Sequence, residues 1–379
     1  MRKVFEESPN TLYALKYFSK VLGQSLAPMG LARLLVITGA SNPNPRCCGI
    51  FVAPSQEYKS TLSALAQRFF SKDMYLELSG DETLHGLKKT YGERVNAKDY
   101  EYLLNLHNKC LIIDEGNLLL QAMNTKSKYR LLSSIAKLFT SWRSDYKSEL
   151  GSFRVVGRIT IIMNIVTELF AKMEFVLRMS TIGQRSYIGF TWLTDKEKIR
   201  IRENYRKFRK IKPEIRIEPY RRTIKNLGEY EGELVSLAKD YAILGIRNLT
   251  ETLHITEALA CQNACLNGRN YLTEDDIKVV RMLRSYVSDP RKTDTIRVIG
   301  FLKEGRTYRD ICHLLNKPLH FKTTISRIKK RAEMRGILDY GIDRPEWWKD
   351  LGVSEFTLSD SSPARTLSQA RGKSNRVNS

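Results

Sequence analysis

The stretch GIFVAPSQEYKST, residues 49–61, joins a run of apolar residues to a helical pattern through a short polar loop. Further apolar runs follow, separated by helical patterns: MYLEL (74–78), CLIID (110–114), RITIIMN (158–164) and YIGFTWL (187–193). Strands that are apolar along their whole length and alternate with helices are typical of a parallel sheet covered on both faces. The sequence therefore predicts an α/β domain built on a five-stranded parallel sheet flanked by helices.

The polar loop after the first run ends like a phosphate-binding loop. Such a loop needs Lys and then Ser or Thr at the start of a helix, where backbone N–H groups hold phosphates and a hydroxyl ligates Mg²⁺. Lys59, Ser60 and Thr61 take these positions. Both glycines of the motif are absent, with Ala53 at the first place and Tyr58 at the second. Since glycine lets the backbone approach phosphates closely, the loop taken alone also fits an ordinary turn carrying a surface lysine.

Polar side chains also end two of the later apolar runs. In KCLIIDE (109–115), Asp114 and Glu115 follow four apolar residues, as in a Walker B motif, and Asn164 ends the run RITIIMN. Asp114 would hold Mg²⁺, and Glu115 would polarise the attacking water. Acids where a strand reaches solvent, and Asn as a turn residue, are the ordinary alternatives. The order and spacing of the three features therefore weigh more than any one of them.

Together these features make residues 45 to 195 resemble the core of AAA+ ATPases. The resemblance implies ATP and Mg²⁺ as cofactors and Asn164 as a sensor beside the γ-phosphate. It also implies an arginine finger ahead of the fifth strand, with Arg185 as the candidate and Arg178 as the alternate. Because a finger acts on a neighbour's nucleotide, a homo-oligomer is expected, with a ring as one arrangement. A basic residue on a solvated helix face is the alternative for both arginines.

The segment 245–283 resembles the lid of MCM-type replicative helicases. Its RNLTE matches the R-x-L-E pattern of those lids loosely, because Thr250 stands where Glu is expected, and TEDD (273–276) predicts an N-cap with an acidic first turn. The resemblance implies that Arg247 is a second sensor arginine reaching the γ-phosphate, rather than a helix-surface arginine. MCM helicases carry a ring-forming domain ahead of the ATPase. Here the first predicted strand begins at residue 49, so we expect that domain to be missing.

Residues 293–340 show helical spacing in three segments, and thirteen Lys or Arg stand against four acids from 291 to 335. The second segment begins with a Thr307 cap, and the third, HFKTTISRIKKRAEMRG (320–336), has Ile325, Ile328 and Met334 inside, as in a recognition helix. We predict a winged-helix DNA-binding domain with ILDYG (337–341) as a wing strand; a winged helix used for protein contact is the alternative. The predicted DNA contacts are His320, Lys322, Thr323, Thr324, Ser326 and Arg327, with Lys329, Lys330 and Arg331 on phosphates.

The whole chain carries a formal net charge of +22, from 63 Lys and Arg against 41 Asp and Glu. Such an excess favours a polyanionic partner, with nucleic acid ahead of a membrane surface, which would also attract positive charge. No apolar run approaches the length of a membrane span, so no span is predicted. A general solubility device is the alternative. The six cysteines form no CxxC pair, and MRKVFEESPN lacks an apolar signal core. We therefore expect no zinc site, no disulfide framework and a cytoplasmic location.

These patterns divide the chain into an N-terminal helical segment (1–45), an AAA+ core (46–225), a helical lid (226–290), a winged helix (291–345) and a mostly disordered tail (346–379). The leading hypothesis is an ATP-dependent DNA motor or replication initiator, such as a helicase, of the MCM-like AAA+ type. Two alternative hypotheses remain. One is a DNA-binding initiator or regulator with a catalytically inactive core, suggested by Ala53 and Tyr58. The other is a mobile-element or viral ATPase that shares the motor parts.

Overall fold

The computed structural model describes residues 5–42, 45–78, 92–95, 98–114, 143–148, 151–218, 223–224 and 226–339. The chain divides into two compact units. The first runs to Lys292 and includes Arg335–Ile337, and the second contains Thr293–Met334 and the residues from Leu338 on. The predicted tail lies outside the described residues. None of the described helices is long and apolar enough to cross a membrane.

The strands of the first unit form two sheets. In chain order the described strands are β1 (Cys48–Ala53), β2 (Tyr75–Leu78), β3 (Glu93–Arg94), β4 (Tyr102–Asn105), β5 (Lys109–Ile113), β6 (Arg143–Ser148), β7 (Gly151–Val156), β8 (Ile159–Val166) and β9 (Ser186–Phe190). The larger sheet has the order β2-β5-β8-β1-β9, and all its pairs are parallel. The predicted five-stranded parallel sheet is confirmed, and each of the five apolar runs supplies one of its strands.

The smaller sheet has the order β3-β4-β7-β6 and was not predicted. Its β6 and β7 form an antiparallel hairpin, whereas β4 and β7 run parallel. Leu104 and Val155 are buried in the same core as the strands of the larger sheet. The small sheet therefore rests on the main core through a few apolar side chains.

Helices cover the larger sheet. Those described in the first unit are α1 (Pro9–Leu22), α2 (Ala27–Ala40), α3 (Lys59–Gln67), α4 (Thr167–Met179), α5 (Thr181–Gln184), α6 (Asp195–Phe208), α7 (Glu231–Gly245), α8 (Leu249–Leu266) and α9 (Glu274–Arg284). All residues of α2 are buried, because it packs against β1, β5 and β8 on one side and against α1, α3 and α8 on others. A helix that is apolar all round requires such an enclosed position.

The strand order places a crevice next to β1. After β1 the chain passes through α3 to β2 at one edge of the sheet, whereas after β8 it passes through α4 and α5 to β9 at the other edge. Neighbouring parallel strands whose connections leave in opposite directions open a crevice at their carboxyl ends, where open α/β sheets usually bind ligands. Residues 54–58 and the carboxyl end of β8 therefore border the expected ligand position.

Three helices of the first unit, α7 to α9, lie within residues 226–290. The N-cap predicted at TEDD is confirmed, because Thr273 and Asp276 form a capping box at the start of α9. Asp276 is fully buried and forms a 2.7 Å ion pair with Arg269. The acidic first turn is therefore both a helix cap and a buried anchor for the preceding loop.

The second unit contains α10 (Thr293–Lys303), α11 (Tyr308–Leu314) and α12 (Lys322–Glu333). They enclose a small core that includes Phe301, Ile311 and Ile325. The predicted cap is confirmed, since Thr307 and Asp310 form a capping box at the start of α11.

Two details predicted for the second unit are wrong. Met334 was expected inside but is 79% exposed, because nine residues of helix turn it to the side opposite Ile325, and Ala332 is buried instead. Ile337–Asp339 form a 3₁₀ turn instead of a wing strand, after Gly336 bends the chain with a φ of 64°. Residues 340 and 341 lie outside the described part, and no strand occurs within 293–339.

Replacing Gly30 of α2 with alanine should destabilise the first unit. A Cβ there would lie 2.5 Å from the ring of Phe18 in α1, which is itself fully buried against Phe69. We expect the free energy of unfolding to fall by about 1–3 kcal/mol, as for overpacked cores. Gly232→Ala in α7 is the matched control, because its added Cβ meets nothing within 4 Å. Urea denaturation that gives equal stabilities for the two variants would contradict the tight α1–α2 contact.

Candidate functional site

The residues 54–58 join β1 to α3, which begins at Lys59. The first N–H groups of a helix have no acceptor within it and carry the positive end of the helix dipole. Lys59 lies over this loop, where its Nζ donates hydrogen bonds to the carbonyl oxygens of Ala53 (3.0 Å) and Pro54 (2.6 Å). An ammonium group and a helix N-terminus therefore face the same crevice, which suits an anionic group.

The protonation of Lys59 reflects its partial burial. Burial lowers its pKa to about 8, while the nearby carboxylate of Glu57 acts in the opposite direction. At neutral pH the side chain is therefore mostly protonated. Its positive charge is available to a phosphate.

The backbone of the loop adopts conformations that glycine normally supplies. Gln56 and Tyr58 have φ angles of 64° and 58°, both in the left-handed region. For a residue with a Cβ this conformation costs about 1–2 kcal/mol. Tyr58, at the place of the second motif glycine, therefore keeps a glycine-like bend at the start of α3, although its side chain occupies space that glycine would leave open.

Asn164 links three elements, β8, α3 and the residue after β5. From β8, its Nδ2 donates to Asp114 Oδ1 (2.8 Å), which follows β5, and to Ser63 Oγ (2.9 Å) in α3. Asn164 is 1% exposed, so these bonds form in a nearly dry environment. The structure thus brings Asn164 and Asp114 into direct contact, beside the helix that Lys59 begins.

Arg33 of α2 completes this network, and sequence analysis missed it. Its guanidinium donates to Asn164 Oδ1 (3.0 Å), Ser63 Oγ (3.2 Å) and the Met29 carbonyl oxygen (2.9 Å), and it lies 3.8 Å from the ring centre of Phe51. Because a guanidinium only donates, the amide oxygen of Asn164 must face Arg33. The amide nitrogen is thereby directed toward the carboxylate that follows β5.

The charge of Arg33 is retained despite complete burial. Desolvation lowers its pKa to about 9, and the negative charge of Asp114 partly opposes this effect. Arg33 is therefore cationic at neutral pH, and it adds positive potential beneath the crevice. The only signal in the sequence was a single charged residue inside the apolar run LARLLVITGA.

Glu57 is a second residue that sequence analysis did not single out. It is 3% exposed, and its Oε1 lies 3.0 Å from Lys198 Nζ in α6. Its Oε2 has no hydrogen-bond partner among the described residues. A buried carboxylate inside a phosphate loop repels an anion, and Lys198 partly cancels that repulsion. The ring of Tyr205, also in α6, lies 6.4 Å from that of Tyr58, so α6 contacts the loop at two points.

The remaining predicted nucleotide ligands fall on the first turn of α3. Ser60 is exposed and Thr61 is half-buried. Glu115 lies outside the described residues. The described residues contain no cluster of three or more His, Cys, Asp or Glu side chains that could hold a metal ion alone. Mg²⁺ at a nucleotide site needs only one or two carboxylates because phosphates and water complete its shell, so Asp114 and Ser60 fit that role.

The three arginines predicted to contact the nucleotide lie away from the carboxyl ends of the strands. Arg247 is buried, and its guanidinium donates to the carbonyl oxygens of Gly183, Gln184 and Ser186 at 2.6–2.7 Å. Ser186 begins β9, so Arg247 lies at the amino end of that strand, about 13 Å along it from the carboxyl edge. The structure does not bring Arg247 to the candidate site.

The two finger candidates are also at the amino edge. Arg178 donates to Glu174 and to the Gly245 carbonyl oxygen, each at 2.6 Å. Arg185 is exposed, and its carbonyl oxygen accepts from the N–H of Cys48, the first residue of β1. A residue at this edge can act only on the nucleotide of another subunit, and Arg185 is the more available of the two.

The side chains predicted to contact DNA gather on the exposed side of α12 and the turn before it. Thr324 and Lys329 are half-buried, and the others are exposed: His320, Lys322, Thr323, Ser326, Arg327, Lys330 and Arg331. Ile325 and Ala332 hold the opposite side in the core of the second unit. One ion pair, Lys329 with Glu333 at 3.7 Å, offsets this charge. The face is therefore strongly basic.

Comparison with known proteins adds no assignment. No protein-family model matches the sequence, and no curated protein is significantly similar to it.

Replacing Arg33 with methionine should destabilise the first unit. The substitution keeps the volume but leaves the buried amide oxygen of Asn164 without its donor and removes one of the two donors to Ser63 Oγ. Breaking such a network costs about 2–4 kcal/mol. Lys172→Met, at an exposed position of α4, is the control and should change stability by less than about 0.5 kcal/mol. If chemical denaturation gives the same small change for both variants, Arg33 does not hold the network.

Replacing Tyr58 with glycine should strengthen nucleotide binding. Glycine adopts the observed φ without strain and lets phosphates approach the backbone. Tyr58→Ala is the matched control, because it removes the ring but keeps the Cβ. We expect titration with a fluorescent ATP analogue to give severalfold tighter binding for Tyr58→Gly than for Tyr58→Ala. Equal affinities would mean that the Cβ at this position does not limit access.

Proposed function

We propose that the first unit binds ATP and Mg²⁺ at the carboxyl ends of β1, β8 and β5, and that the protein is an ATP-dependent DNA motor or replication initiator of the MCM-like AAA+ type. The proposal rests above all on the position of Lys59, Asn164 and Asp114 around one switch point of a parallel sheet. These are the cation, the polar amide and the carboxylate that phosphoryl transfer to water requires.

Each residue has a role in this proposal. Lys59 contacts the β- and γ-phosphates, and the N–H groups at the start of α3 hold phosphate oxygens. Asn164 is the proposed sensor of the γ-phosphate. Its amide nitrogen donates to Asp114 and Ser63, so one of these bonds must open before it can orient the attacking water or the γ-phosphate. Glu115 polarises that water. Bound Mg²⁺, held by Ser60 and Asp114, would neutralise charge on the phosphates.

Subunit contact and DNA complete the proposed mechanism. Arg185 of a neighbouring subunit serves as the arginine finger, so hydrolysis requires a homo-oligomer. Residues 226–290 are the lid, and the second unit is a winged helix whose α12 enters the major groove. The basic side of α12 supports this assignment. All six cysteines are buried and form no disulfide, which agrees with a reducing intracellular compartment.

A second candidate function is a DNA-binding initiator or regulator whose core does not hydrolyse ATP. The buried carboxylate of Glu57 favours it, since that group lies inside the loop that must hold phosphates. Lys59 also bonds to carbonyl oxygens of its own loop, so it must move to reach a nucleotide. In this alternative the fold and the DNA-binding surface are the same, but the core serves in assembly of the oligomer instead of in ATP hydrolysis.

Hydrolysis of ATP with and without DNA distinguishes the two candidates. We expect Mg²⁺-dependent turnover that rises with DNA and falls by at least about 100-fold in Lys59→Ala, since the lysine stabilises charge in the transition state. Lys72→Ala, exposed before β2, is the control and should retain full turnover. Absence of turnover in the wild type, together with intact DNA binding, would favour the inactive core. Absence of both would contradict the proposed function.

A further inference from the structure

Helix α6 and the residues after it form the most basic exposed segment described in the first unit. From 195 to 216, nine Lys and Arg side chains are exposed against three exposed acids. The exposed cations are Lys196, Arg200, Arg202, Arg206, Lys207, Arg209, Lys210, Lys212 and Arg216. This segment belongs to the ATPase-like unit, and the sequence analysis assigned DNA contacts only to the second unit.

Three of these cations share one stripe of α6. Lys196, Arg200 and Lys207 are spaced i, i+4 and i+11, which places them within about 40° of one another around the helix axis. The stripe is about 17 Å long at 1.5 Å per residue. Along the duplex axis, each DNA strand has one phosphate every 3.4 Å or so, so a stripe parallel to that axis covers the axial rise of about five phosphates.

The stripe carries three cations against one exposed acid, Glu203, which lies three residues after Arg200 and four before Lys207. In the described ranges, none of the three side chains forms a salt bridge; Lys207 Nζ lies 5.2 Å from the ring centre of Phe208. Lys196 and Arg200 are one helical turn apart, and like charges at that spacing destabilise a helix. Repulsion of this kind disappears when an anion binds along the stripe.

The apolar side of α6 is already occupied, which argues against a membrane. Ile201 is 2% exposed and α6 packs against α1. Ile199, at 61% exposed, is the one large exposed apolar residue within Asp195–Phe208. A helix that lies on a lipid surface needs a free apolar face, and α6 has none. Its partner is therefore a hydrophilic polyanion.

We infer that the exposed stripe of α6 is a second DNA-binding surface, which contacts the phosphate backbone through Lys196, Arg200 and Lys207. The inference rests on the proposed function for the identity of the polyanion. Binding here is independent of base sequence, because the stripe offers only flexible cations. The side of α6 nearest the loop contacts the phosphate loop through Lys198 and Tyr205, so bound DNA lies one helix away from the candidate nucleotide site.

The salt dependence of DNA binding tests this surface. The full chain carrying Lys196→Gln, Arg200→Gln and Lys207→Gln is compared with a control carrying Lys72→Gln, Lys98→Gln and Lys172→Gln. Both variants lose three exposed positive charges from the first unit. Affinity for a duplex of random sequence is measured from 50 to 200 mM salt, and thermal unfolding checks that each variant is folded.

We expect the slope of log K against log salt to become less negative by about 2.7 in the α6 variant, or 0.9 for each lost phosphate contact. Over this fourfold salt range, the ratio of the wild-type DNA affinity to the variant's DNA affinity then falls about 40-fold. The control should keep the wild-type slope. Equal slopes in the two variants would overturn the inference while leaving DNA binding by the second unit intact.

Two other outcomes are informative. A wild type that binds no duplex DNA overturns the inference together with the proposed function. A less negative salt slope in the α6 variant alone supports both. If the α6 variant loses binding to phosphatidylserine–phosphatidylcholine vesicles but keeps the wild-type DNA slope, the stripe binds a lipid surface and the inference is wrong.

Discussion

The buried guanidinium of Arg33 is the interaction on which the candidate site depends. It lies in the fully enclosed helix α2 and reaches Asn164 and Ser63, which belong to two other elements. An ion in such a position is costly unless it is well hydrogen-bonded, and each of the three guanidinium nitrogens donates one bond. Here the amide, the hydroxyl, a carbonyl oxygen and the ring of Phe51 surround it. The same bonds that satisfy the arginine orient the amide toward Asp114. The stability of the core and the geometry of the site therefore rest on one network.

Much of the fold could be predicted because its signals are local. Each strand of the larger sheet is a continuous apolar run, and caps such as Thr273 and Thr307 are marked by the residue three positions later. Lys59, Asp114 and Asn164 stood out for the same reason, since each follows or ends such a run. Arg33 and Glu57 could not be assigned, because their roles depend on which elements pack together. The small sheet was missed because β3 has only two residues and β6, RSDYKS, contains no apolar run. Met334 was misplaced because it follows Ile325 by nine residues, which places it half a turn away from the side that faces the core.

The loop shows how a phosphate-binding bend can exist without its glycines. The left-handed conformation of Tyr58 has a cost, and the packing of its ring near Tyr205 in α6 offsets part of it. The main chain therefore takes the required path through tertiary contacts instead of through intrinsic preference. Such a loop is less tolerant of movement in its neighbours than a glycine-rich one. Any displacement of α6 changes the support of Tyr58 and the ion pair of Glu57 together.

The net charge around the crevice determines how strongly a nucleotide could bind there. Lys59, Arg33 and Lys198 are cationic, and Glu57 and Asp114 are acids, so the described groups leave only a small positive excess. Mg²⁺-bound ATP remains anionic, and its negative charge grows around the γ-phosphate as the bond to that group breaks. The N-terminus of α3 supplies part of the missing positive potential. The three arginines expected at the nucleotide, Arg178, Arg185 and Arg247, lie at the amino ends of the strands. Arg291 does reach the carboxyl edge, where its Nη1 donates to the Thr167 carbonyl oxygen just after β8, but it is paired with Asp289. In the proposed function, a cation from a neighbouring subunit adds to this positive potential at the transition state, so assembly promotes hydrolysis.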